Sequence, residues 1–118
     1  MDLSSLASEV ELESTLDRVC DDKALLVELL GMLVDDFKGE QAEFIAHLEN
    51  EDYPWLRSKA HHHKGIGANL GLLNFMAAAK SLETFAQLAN QAKCKEAFQE
   101  MLNTVLHVEE LLTNLAEK

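Results

Sequence analysis

Three consecutive histidines, His61, His62 and His63, stand directly before Lys64 and Gly65, and the segment runs on as Ile66-Gly67-Ala68-Asn69-Leu70-Gly71. A neutral imidazole nitrogen is a good nucleophile near neutral pH, because free imidazole titrates near about 6.5. A phosphoryl group passing to such a nitrogen goes through a transition state whose charge is spread over equatorial oxygens. Catalysis is then mostly positioning and electrostatic stabilisation. The chemistry asks for a cation within a helical turn of the nucleophile and for small residues beside it.

Helical geometry separates the three rings. At about 100° per residue they point in three different directions. Lys64, Gly65 and Ala68 all fall within about 60° of His61, whereas Leu56, His63, Gly67 and Leu70 share the opposite face. The leucines mark that face as the core side, so His61 is expected to face outward. Lys64 is then placed to neutralise phosphoryl charge, with Gly65 and Ala68 leaving access for a partner. Each glycine inside a helix costs about 1 kcal/mol relative to alanine. Access accounts for Gly65, and close helix packing for Gly67. His63 is expected inward, as a neutral, hydrogen-bonded core histidine, and His62 on a flank.

Charge sets this segment apart. The chain of 118 residues carries 21 acidic and ten basic residues, a net charge of −11. That excess argues against nucleic acid or an anionic membrane as partner, since phosphate binding rests on surplus Lys and Arg. Yet no acidic residue lies between Asp52 and Glu83, where Arg57, Lys59, Lys64 and Lys80 are found. A locally positive segment on an acidic domain is a place where an anion is tolerated. Chance clustering around an apolar helix is the plain alternative.

The elements that must hold these residues are helices. Leucine and alanine abound, aromatics make up 6% of the chain and there is one proline, so the balance favours helix over sheet. Apolar spacing at three and four residues predicts five helical segments. They run from about Ser4 to Arg18, Lys23 to Glu49, Tyr53 to Leu70, Leu72 to Ala92 and Cys94 to Glu117. Asp52 is expected to cap the third, with Pro54 in its first turn. The expected architecture is all-α: one domain over residues 1–118, an antiparallel four-helix bundle with a short additional N-terminal helix. No run approaches the length of a membrane span, and the N-terminus lacks a signal peptide. Cys20 and Cys94 match no metal or redox spacing, so reduced thiols and a cytoplasmic protein are expected.

Ala60-His61-x-x-Lys64-Gly65, with Gly71 ten residues after the histidine and Leu82-Glu83 further on, resembles the histidine-containing phosphotransfer (HPt) domain of two-component phosphorelays. The resemblance covers the whole chain. It implies that His61 accepts a phosphoryl group from a receiver-domain aspartyl phosphate and passes it to another response regulator receiver. A hybrid sensor histidine kinase would stand upstream. The domain would be a phosphocarrier and not an enzyme, without an ATP or metal site of its own, and Mg²⁺ would come with the receiver. The resemblance also gives Lys64 the phosphoryl charge and Gly65 the access, and makes Glu83 or Gln87 of the next helix candidates to complete the site. A monomer is expected, either free-standing or part of a hybrid kinase. Receiver docking is expected on apolar surface near His61, such as Ile66 or Leu72/Leu73. The family usually carries an apolar residue where this chain has His63.

Three rivals are weighed against this reading. A metal site on the histidine run fails on geometry, since none of the three has a ligand at the third or fourth position in either direction. The glycine run has three residues before its last glycine instead of two, and follows a helix instead of a strand, unlike a nucleotide-binding loop. A helical interaction module without phosphate chemistry explains the bundle and the charge, but leaves the His61/Lys64/Gly65 face as coincidence.

Overall fold

Apolar residues at helical spacing bury as one core in a computed structural model that describes residues 1–117; Lys118 lies outside the described residues. Six α-helices follow a 3-10 turn over Ser4–Ser8: α1 (Leu12–Arg18), α2 (Lys23–Gly39), α3 (Gln41–Glu49), α4 (Tyr53–Asn69), α5 (Leu73–Gln87) and α6 (Gln91–Ala116). No strand occurs among the described residues, and no helix is long and apolar enough to cross a membrane. Leu26, Leu30, Leu33, Phe37, Phe44 and Leu48 of α2 and α3 are buried against Leu56, Phe75, Leu82, Met101 and Val105.

The expected boundaries differ in three places. The first segment divides into the 3-10 turn and α1, because Glu11 donates its N–H to Gly71 O (2.8 Å) and Val10 pairs with Leu72 across the chain. The second segment breaks at Glu40, after Gly39 has weakened the helix. There the Glu40 carboxylate turns to Lys59 Nζ, 2.6 Å away. The fourth segment stops at Gln87, and α6 starts three residues earlier than expected.

The last difference has a capping cause. At the end of α5, Ala89 takes a left-handed φ of 54° and donates to Ala86 O, while Asn90 donates to Phe85 O. That is a Schellman closure with alanine at the position glycine usually fills. Asn90 then caps α6 by accepting from Lys93 N–H at 3.1 Å. Glu51 and Gly71 sit in the same left-handed position after α3 and α4. Asp52 caps α4 by accepting from Trp55 N–H, with Pro54 in the first turn, as its sequence predicts.

Helix α4 packs most extensively on α5, and α5 on α6. The N-terminal segment pins the α4–α5 turn. Arg18 donates from Nε to Asn69 O (2.9 Å) and from Nη2 to Ala68 O (3.2 Å), capping the carbonyl end of α4 with a cation.

His63 is buried within α4, its ring enclosed by Phe37, Phe44 and Phe75. The inward placement agrees with the helical wheel, but the expected hydrogen bond is absent. Glu40 Oε1 lies 3.2 Å from Nε2 without hydrogen-bond alignment, and neither ring nitrogen has a partner. Burial pushes the ring's pKa down; the neighbouring Glu40 opposes this and His62 and Lys59 add to it. The unfolded chain therefore takes up this proton before the folded one does, so stability falls as pH drops below about 6.5. Replacing His63 with leucine removes two unpartnered buried nitrogens while Glu40 keeps Lys59. His63→Leu is expected to raise stability by about 1 kcal/mol at neutral pH and by more at pH 5.5. Urea unfolding at both pH values checks this; a less stable variant with the wild-type pH slope would contradict it.

Candidate functional site

The turn between α4 and α5 is three residues long, so the two helices run back along each other from Gly71. Their separation is set by Gly67. A Cβ there would stand 3.2 Å from Met76 N and from Phe75 Cδ1, tight enough that the α5 backbone or the Phe75 ring would have to give by a few tenths of an ångström. At Gly65, by contrast, a Cβ would meet nothing within 4 Å. The two glycines thus divide as their positions on the wheel suggest, Gly67 to packing and Gly65 to open space.

Close approach brings one carboxylate of α5 onto two residues of α4. Glu83 Oε2 lies 2.7 Å from His61 Nδ1, and Glu83 Oε1 accepts from Lys64 Nζ at 2.8 Å. The His61 side chain is 72% exposed, against 31% for Lys64 and 21% for Glu83. His61 therefore faces outward, with exposed Gly65 and Ala68 on its face. Of the two candidates on α5, Glu83 reaches the ring, whereas Gln87 lines a separate depression with Tyr53, Pro54, Arg57 and Ala86.

The electrostatics assign the ring's proton. The Lys64 ammonium holds the Glu83 carboxyl below the usual carboxylate range; partial burial opposes this and the His61 bond adds to it. An ionised carboxylate only accepts hydrogen bonds, so Nδ1 of His61 is the donor. In the neutral ring Nε2 then carries the free lone pair. Glu83 fixes the tautomer and the ring direction together, as a carboxylate beside an imidazole does in catalytic dyads.

Beside His61 is an open cleft of about 380 Å³ lined by Pro54, Arg57, Ser58, His61 and Glu83. Lys64 is not among its walls. Arg57 was visible in the sequence as the residue four before His61, hence on the same helical face. On the other flank, Leu29, Met32, Leu33, Ile66 and Leu70 form a mostly apolar groove with His62, Asp36 and Glu40 at its edge. Of the expected docking residues, Ile66 joins this groove and Leu73 is 53% exposed, but Leu72 is buried and offers no surface. Its pairing with Val10 carries it inward. Both cysteines are free thiols, Cys20 exposed and Cys94 buried. Among the described residues no group of three His, Cys, Asp or Glu side chains is placed to hold a metal ion.

The glycine assignment has a direct consequence for stability. Gly65→Ala is expected to raise stability by about 0.5–1 kcal/mol through helix propensity alone. Gly67→Ala is expected to lower it by about 1–2 kcal/mol, as the added methyl presses on the α5 backbone. Thermal melts of the two variants check the contrast; equal shifts would contradict it.

No family model matches this chain, and no curated protein or solved structure does either.

Proposed function

We propose that this chain is a phosphorelay intermediate of the histidine-containing phosphotransfer type, with His61 as the phosphoacceptor. The observation that carries the reading is the ionised Glu83 carboxylate on Nδ1 of an exposed histidine, which leaves Nε2 free to attack. In this reading α2 with α3, α4, α5 and α6 make an antiparallel four-helix bundle, and the 3-10 turn and α1 close one end. The carrier is a monomer of the cytoplasm, and receivers with their hybrid sensor kinase are its partners.

The step balances without a proton leaving the site. The Nε2 lone pair attacks the phosphorus of the receiver's acyl phosphate in line, the N–P bond forms and the P–O bond to the aspartate breaks. The aspartate departs as carboxylate. The ring gains positive charge, which the Glu83 carboxylate compensates through the Nδ1 proton it already holds. Onward transfer runs the same bonds in reverse to a second receiver's aspartate. Lys64 keeps Glu83 ionised and in place. The Mg²⁺ that phosphoryl transfer uses belongs to the receiver in this reading, and the mostly apolar groove flanking His62 offers that partner a landing surface.

The same groove is what favours the second reading, a helical interaction module without phosphate chemistry. One experiment separates them. Incubation with a phosphorylated receiver domain and Mg²⁺ is expected to place acid-labile, base-stable label on the chain, and His61→Gln is expected to abolish it. Binding of receivers without label would favour the interaction module, and label persisting in the variant would move the acceptor to another residue.

A further inference from the structure

The four cations of the acid-free segment differ in what they hold. Lys59 donates to Glu40 at 2.6 Å, and Lys64 donates to Glu83 at 2.8 Å. Arg57 and Lys80 are exposed and have no carboxylate partner among the described residues. Of these two, only Arg57 lines the cleft that His61 shares, and it is the only cationic side chain in that wall. The second depression, towards Gln87, also has Arg57 in its wall.

Helix geometry places the guanidinium where it can act on the ring. Residues four apart have Cβ atoms about 5–6 Å from one another on one face. Side chains on a helix lean towards its N-terminus, so the His61 ring leans over the turn that bears Arg57 and Ser58. His61 and Glu83 line the same cleft as Arg57, so a group carried on the ring has the Arg57 wall beside it. The charge of Lys64 is already taken up by that carboxylate. A dianionic phosphoryl group therefore needs a further cation, and a planar fork of N–H donors matches its oxygens.

We propose that Arg57 is the phosphoryl-binding residue of the His61 site, holding the equatorial oxygens of the group on Nε2 while Lys64 acts on Glu83. The proposal rests on the phosphorelay reading and reassigns the direct phosphoryl contact from Lys64 to Arg57. It concerns the bound group and not the docking of a partner, which makes it testable without one.

The probe is potassium phosphoramidate, whose P–N bond breaks as the Nε2–P bond forms and whose nitrogen leaves as ammonia. Wild type, Arg57→Ala, Arg57→Lys and Lys80→Ala are compared for the rate of phosphohistidine formation at His61 and for its hydrolysis. Arg57 has no carboxylate partner among the described residues, so the melts are expected to coincide. Arg57→Ala is expected to label about ten-fold more slowly and to hydrolyse faster, with Arg57→Lys between it and wild type and Lys80→Ala unchanged. Wild-type labelling and hydrolysis in Arg57→Ala would overturn the assignment while leaving the relay intact. An equal loss in Lys80→Ala would also overturn it, since diffuse charge would then suffice. A wild-type protein that takes no label on His61 from phosphoramidate or from a phosphorylated receiver would overturn the relay reading itself.

Discussion

The Glu83 carboxylate is the point on which the candidate site turns. One oxygen meets the His61 ring and the other meets the Lys64 ammonium, so a single side chain of α5 orders two residues of α4. Both contacts span the gap between α4 and α5. The gap is set by Gly67, whose missing side chain admits the backbone at Met76. It is held from the far end by Arg18, which ties α1 to the last carbonyls of α4, and by the Glu11–Gly71 backbone bond. A local chemical arrangement thus depends on packing two turns away and on the N-terminal segment beyond it.

The segment around His61 is set apart by charge in an otherwise acidic chain. The stretch without acids lies on α4 and the first part of α5; Lys59 and Lys64 are neutralised across a helix interface, Arg57 is left open at the cleft, and Lys80 is exposed away from it. The Lys59–Glu40 pair has a different task. It holds the junction of α2 and α3 against α4, close to the buried His63. A histidine in that aromatic pocket gives up hydrogen bonds that a leucine would not need, and the ring stays neutral because a charge there would be desolvated.

Much of this was legible in the residues alone. Core stripes were clear because a 3.6-residue period leaves the same mark in any helix, and Leu26 through Leu48, Phe75, Leu82 and Phe98 through Val108 are buried accordingly. The outward His61 and the inward His63 followed from the same period. Helix ends were less legible. Ala89 and Glu51 adopt the left-handed turn that glycine would have announced, so the stop after α5 had no composition signal. The choice between Glu83 and Gln87 needed the register of the α4–α5 hairpin, which is a tertiary quantity. So did the fate of each cation: Arg57 and Lys64 look alike in a sequence, and only packing decides which one a carboxylate takes. Which of Leu72 and Leu73 stays at the surface is a tertiary matter too: Leu72, paired with Val10 far away in the chain, is buried, and Leu73 is exposed.

Nitrogen-15 NMR of the histidine rings tests the role of Glu83 most directly. At a pH where the ring is neutral, His61 is expected to carry its proton on Nδ1, with Nε2 unprotonated, and Glu83→Gln is expected to release it to a mixture of tautomers. A wild-type His61 with its proton on Nε2, or a spectrum unmoved by the substitution, would contradict the account.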